Sequence, residues 1–103
     1  MSAAAMPAPP YYAVIFTSVR TEADNGYAQI DDEVLELARQ QPGFLGFESA
    51  RNEIGISVSY WKDLESIRSW KENTTHREAQ ERAREWYKSF HVRVCKVERE
   101  YGF

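Results

Sequence analysis

Residues 11–19, YYAVIFTSV, alternate: Tyr12, Val14 and Phe16 share one side of an extended chain, and Tyr11, Ala13, Ile15 and Val19 share the other. Both sides are apolar. Two helices cover only one face of a four-stranded sheet, so a first strand apolar on both sides calls for a second cover. A second copy of the chain packed sheet on sheet is the economical one, and the pattern predicts a homodimer.

A helical stripe follows. Tyr27, Ile30, Val34, Leu37, Ala38 and Gln41 recur at spacings of three and four, with Asp24 as the expected N-cap. Asp31, Asp32, Glu33 and Glu36 fill the outside, the first two early enough to suit the helix dipole. Because these carboxylates face away from the apolar stripe, they read as a solvated surface. Pro42 lacks the N–H a continuing helix needs, and Gly43 can take the left-handed turn that closes one. Phe44 to Ala50 then reads as a strand, Asn52-Glu53 as a reversal, and Ile54 to Lys62 as a second strand. In that strand Ile54, Ile56, Val58 and Tyr60 make a packing face. Gly55, Ser57 and Ser59 leave space up to Trp61, for a ligand cavity or a closely packed neighbour.

Asp63 caps the next helix, whose inner stripe runs Leu64, Ile67, Trp70 or Lys71, and Thr74. Asn73-Thr74-Thr75 is poor mid-helix chemistry and predicts a break, after which the helix resumes from His76 to about Ser89. Its second stripe is Ala79, Ala83, Trp86 and Phe90, and Phe90 to Arg99 makes the closing strand. The order is β-α-β-β-α-β, a ferredoxin-like α+β fold: an antiparallel four-stranded sheet, two helices on one face and dimerisation across the other.

At 103 residues the chain has room for one core. The Ala/Pro-rich residues 1–10 are expected to be a disordered tail and residues 11–103 a single domain. The start lacks the basic residues and continuous apolar run of a secretory signal, and no segment approaches membrane-span length, so a cytoplasmic location without membrane contact is expected. A single cysteine, Cys95, excludes an internal disulfide and a multi-thiolate metal site; among Val92, Val94 and Val97 it reads as a small buried hydrophobe. The net charge of −3 is uneven: eight acids face three basic residues up to Trp61, and ten basic residues meet eight acids from Lys62 onward. The later basic residues alternate with Glu in EAQERARE, a solvated helix face that gives no support to nucleic-acid binding.

Two histidines could carry proton chemistry. His76 follows the helix break, six residues after Trp70, and an imidazole there can take a proton from a phenol or quinol. The bland alternative is a solvated histidine at a helix N-terminus. His91 alternates with Arg93 and Cys95 on the last strand. Trp61, Trp70, Trp86, Tyr60 and Tyr87 form an aromatic set suited either to a planar ligand or to a core. Metal-ligand spacings such as H-x-x-x-H or C-x-x-C are absent, and Gly43, Gly46 and Gly55 serve a turn and strands rather than a phosphate loop. A redox enzyme on this chain would draw its electrons from the substrate or from a guest cofactor.

The run PGFLGFES, followed by the ISVSYWKD strand and a helix carrying Trp70 and His76, resembles the antibiotic biosynthesis monooxygenase family over roughly Tyr11 to Tyr101. The resemblance implies a homodimeric α+β barrel. It also implies a cofactor-independent monooxygenase that oxidises an aromatic, phenolic or quinol-like small molecule with O2. His76 would then be the base and Trp70 a pocket wall or hydrogen-bond donor, with Trp61, Tyr60, Phe16, Tyr27, Val34 and Trp86 as candidate substrate contacts. The family's heme-degrading branch implies a strand Asn, a helix Trp and a His nine or ten residues beyond it. Here the first strand has no Asn and the tenth residue after Trp70 is Gln80, so heme is only a minor guest option. The alternative from another class is a non-catalytic dimer that binds a small hydrophobic molecule or serves a structural role.

Overall fold

The structure is a computed structural model and describes residues 6–103, apart from the side chains of Thr74 and Thr75. The disordered-tail expectation for residues 1–10 falls half on residues outside that description. The elements are β1 (Tyr11–Arg20), α1 (Tyr27–Arg39), β2 (Phe44–Arg51), β3 (Gly55–Trp61), α2 (Leu64–Lys71), α3 (Thr74–Glu81), α4 (Ala83–Trp86) and β4 (Tyr87–Val97). The strands form one antiparallel sheet in the order β2-β3-β1-β4, the β-α-β-β-α-β arrangement read from the sequence.

Register assigns the two faces. Tyr12 pairs with Trp61, Val14 with Ser59, Phe16 with Ser57 and Ser18 with Gly55, so these residues share a side. Val14 packs on the Trp61, Trp70 and Ala38 core together with Val34, Leu37, Phe44 and Ile67, which makes this the helix side. The opposite, open side carries Ala13, Ile15 and Thr17 of β1, Tyr60, Val58 and Ile56 of β3, and Cys95, Arg93 and His91 of β4. The set expected to pack, Ile54 to Tyr60, thus looks to the open side, where Ile54 and Ile56 are exposed in the single chain.

A bulge sits in β2. Phe44 pairs with Trp61 and Gly46 with Tyr60, leaving Leu45 as the extra residue. Beyond it Phe47, Ser49 and Arg51 pair with Ser59, Ser57 and Gly55 and so join the helix side. The turn into β2 uses Gly43 at φ 85°, and a Cβ there would collide with the Ser66 side chain.

Several local expectations are corrected. The N-cap of α1 is Gly26 in the left-handed conformation, with no side-chain cap, and Asp24 contributes only its carbonyl to Gly26 N–H. No acidic residue lies in the first turn of α1, because the helix starts at Tyr27 and Asp31 and Asp32 come a turn later. Leu64, expected inside, is half exposed, whereas Ile67 and Trp70 do pack inward. The break before His76 is present, but the helix breaks again at Arg82 and ends at Trp86, and the last strand starts at Tyr87 rather than Phe90. The β1 residue Arg20 explains this early end. Its Nε donates to the Trp86 carbonyl at 3.0 Å and Thr21 N–H donates to the same carbonyl at 2.8 Å, which commits the chain to the sheet. Cys95 is exposed, not buried, because it lies on the open side of an edge strand.

Candidate functional site

The Asp63 N-cap positions the site. Its Oδ1 accepts from Ser66 N–H at 2.8 Å and from Ser66 Oγ at 2.7 Å, which starts α2 and carries Ile67 and Trp70 inward one and two turns on. Asn73 then ends the helix and caps the next: its Oδ1 accepts from His76 N–H at 3.3 Å. The break turns His76 back onto Trp70. The two rings stack with centroids 4.4 Å apart at 14°, and Trp70 in turn stacks on Trp61 at 6.2 Å, with Phe44 edge-on to Trp61.

This stack fixes the chemistry of the imidazole. His76 Nδ1 lies 3.0 Å from the Trp70 carbonyl, an oxygen that can only accept, so Nδ1 carries the proton and Nε2 the lone pair. Burial lowers the His76 pKa below its ordinary value; the Trp70 carbonyl opposes the shift and Lys71 adds to it. The ring is therefore neutral near pH 7, with a basic nitrogen of defined position.

A second aromatic group occupies the other end of the helix side. Phe16 stacks on Phe90 at 5.6 Å and meets Tyr87 edge-on at 5.4 Å, while Tyr27 of α1 meets both Trp86 and Tyr87 at 5.6 Å. Tyr87 Oη donates to Tyr27 Oη at 2.9 Å, and the Arg20 guanidinium lies 3.4 Å above the Tyr27 ring. Burial, helped by the bond to Tyr27, pushes the Tyr87 pKa well above its ordinary value, so the phenol stays protonated. Arg51 crosses from β2 over Gly55 to Ser18 Oγ, filling the space a Cβ at Gly55 would need. Beyond Phe90 the floor continues along the edge strand as Val92 and Val94, 53% and 51% exposed.

The structure thus brings together His76, Trp70 and Trp61, with Val34 packed against them, and groups Phe16, Tyr27 and Trp86 at the far end. Tyr60 stands apart. It faces the open side, edge-on to Tyr11 and donating to Glu48 at 2.7 Å, with a pKa pushed up to about 12 by burial and that carboxylate. His91 also faces the open side and is exposed. Sequence reasoning missed Arg51 and Ser18. The available signal was parity: Arg51 lies an even number of residues from Phe47, facing the small residue Gly55. Among the described residues no group of three His, Cys, Asp or Glu side chains could hold a metal ion, and no helix is long and apolar enough to cross a membrane.

Known proteins share this fold. The chain is 50% identical over 97 residues to the uncharacterized protein YqjZ of Bacillus subtilis, covering 91% of this chain and 85% of that one. Among solved structures it superposes on SnoaB, a cofactor-independent oxygenase from Streptomyces nogalater, with TM-score 0.76 at 10% identity, covering 89% and 97% of the two chains. Protein SO0527 from Shewanella oneidensis matches with TM-score 0.74 at 12% identity, covering 85% and 91%. At such identities the likeness is one of fold. The sequence profile of one family matches residues 10–82, which with the shared fold makes this chain a member of the antibiotic biosynthesis monooxygenase family.

Proposed function

We propose that the protein is a cofactor-independent monooxygenase of a small aromatic, phenolic or quinol-like molecule, with His76 as its base and Trp70 as the surface that orients it. The observation that carries this reading is the stacked, neutral imidazole whose Nδ1–H is committed to the Trp70 carbonyl. Nε2 takes the acidic proton of the substrate, and burial among aromatic rings favours the spread-out negative charge of the anion. For a CH2 held between aromatic rings, that anion supplies the electrons to O2. One oxygen atom becomes the new carbonyl, the other leaves as water, and the four electrons lost by carbon are those gained by O2. The resemblance in fold to a cofactor-independent oxygenase supports the same reading.

Oxygen uptake by the metal-free protein with a panel of anthrones and hydroquinones tests it. Uptake above autoxidation is expected, falling on the order of 100-fold in His76→Ala. A folded His76→Ala protein with native turnover would remove His76 from the mechanism. A dimeric binder without turnover is the second reading, favoured by one observation: Trp61 and Trp70 are buried in a closed core beside His76, with Trp61 Nε1 donating to Ser59 Oγ.

We also infer that the open face pairs two copies. Ile15, Val58, Arg93 and Glu48 lie in one row across the sheet, Arg93 on one edge strand and Glu48 on the other. A two-fold axis parallel to β1 sets β4 against β2 of the second copy and Arg93 against Glu48 of the partner subunit, while Ile15, Val58 and Cys95 become buried.

A further inference from the structure

We propose that the Tyr27–Tyr87–Arg51 end of the helix side binds the anionic group of a flat aromatic acid, whose ring lies along Phe90, Val92 and Val94. The inference rests on the reading that this face takes an aromatic small molecule, and not on turnover at His76.

Three observations converge on it. The first is an excess of donors. Tyr87 spends its proton on Tyr27, so the Tyr27 hydroxyl, which accepts that bond, has its own proton to give. Arg51 gives one N–H to the neutral Ser18 hydroxyl, and Trp86 Nε1 is buried with no partner among the described residues. The second is charge. Neither Arg20 nor Arg51 has a carboxylate at ion-pair distance among the described residues, whose ion pairs are Arg68–Glu65 and Arg82–Glu85. Asp31 is the acid that faces them. Its pKa is raised by burial and by Asp32 against the pull of Arg51 and Arg20, and two guanidiniums there share this one carboxylate without an ion pair. An incoming carboxylate supplies the missing acceptors and the missing charge, in the fork geometry that Arg prefers.

The third is the apolar shelf. Phe90 is 43% exposed although it stacks on Phe16, and Val92 and Val94 continue its line on the same side. An aromatic ring laid there covers surface that the helices leave bare. The open side offers no such combination, because Tyr60 and Tyr11 there already spend their protons on Glu48 and Glu100, and those carboxylates repel an anion.

Calorimetric titration with 2-naphthoate and with its neutral methyl ester tests the proposal. The acid is expected to bind at least about tenfold more tightly than the ester, since charge-assisted bidentate bonds are the stronger kind. Arg51→Gln and Tyr27→Phe should each weaken the acid several-fold and leave the ester unchanged; Arg51→Lys should restore part of the loss. Arg68→Gln, which removes a distant charge, should change neither ligand. Equal affinity for acid and ester, no binding of the acid at millimolar concentration, or an Arg51→Gln protein that keeps native affinity would overturn it. The oxygen-uptake assay fails separately. Acid binding without uptake removes the monooxygenase reading alone, and uptake of neutral anthrones without acid preference removes this inference alone.

Discussion

The two aromatic groups on the helix side have opposite characters. At one end Phe44, Trp61, Trp70 and His76 stack under α2 and α3, and Trp61 is 0% exposed. At the other, Phe16, Tyr27, Tyr87 and Phe90 are interleaved with Arg20 and Arg51 and lie partly open. The first is a core that has taken in a titratable ring. The second has polar donors, charge and bare apolar surface in one place. Aromatic content alone does not separate a core from a binding surface. What separates them is whether the polar atoms around the rings are already satisfied.

The largest effect that would break this contrast is in the core. Trp61→Ala should cost about 3–5 kcal/mol in urea unfolding, whereas Phe90→Ala should cost under about 1 kcal/mol because its ring is already half in water. Equal losses would mean that the open end is covered in solution. Next, Ile15→Asp on the open face should convert a dimer into a monomer or an unfolded chain, read by sedimentation. A variant that keeps the mass and stability of the native protein would sink the interface.

Tyr87→Phe removes the hydroxyl that holds Tyr27 and should cost about 1 kcal/mol, seen as a shifted denaturation midpoint. The smallest effect is the pH dependence from His76. Its folded pKa lies below the unfolded value of about 6.5. The unfolded chain therefore binds more protons between the two values, and the stabilising contribution is complete above 6.5 and lost as pH falls towards the lowered value. His76→Phe should flatten that part of the stability–pH curve, and a slope identical to that of the native protein would mean the imidazole is not buried as described.

The sheet was legible because its strands announce themselves. The two-sided pattern of Tyr11 to Val19 and the Pro42-Gly43 stop place β1, α1 and β2 within a residue or two of their observed limits. The break at Asn73 was legible for the same reason, since β-branched residues beside Asn are poor helix formers. Local propensity does not contain the helix end at Trp86, since the sequence EAQERARE leading up to it favours continued helix. There Arg20 and Thr21, more than sixty residues away, hold the Trp86 and Glu85 carbonyls and end the helix. Of the candidate site, Trp70 and His76 were legible as candidates beside a helix break, but the stacking of their rings was not. Tyr60 did not separate from the others, because strand facing depends on which side the helices choose. Arg51 stayed hidden behind the irregular pairing of Leu45.

That irregularity bears on which changes of chain length the protein tolerates. Leu45 is supernumerary in the ladder, so a chain lacking it would still pair Phe44 with Trp61 and Gly46 with Tyr60, and every later residue of β2 would keep its side. Loss of Ser49 instead would move Phe47 or Arg51 to the wrong side, depending on which end of the strand kept its pairing. Members of this lineage can therefore differ by one residue before Gly46 and share a ligand face, whereas a one-residue difference after Phe47 would turn a basic strand end away from the helices. Thermal unfolding and 2-naphthoate titration of the two single-residue deletions would show this asymmetry directly.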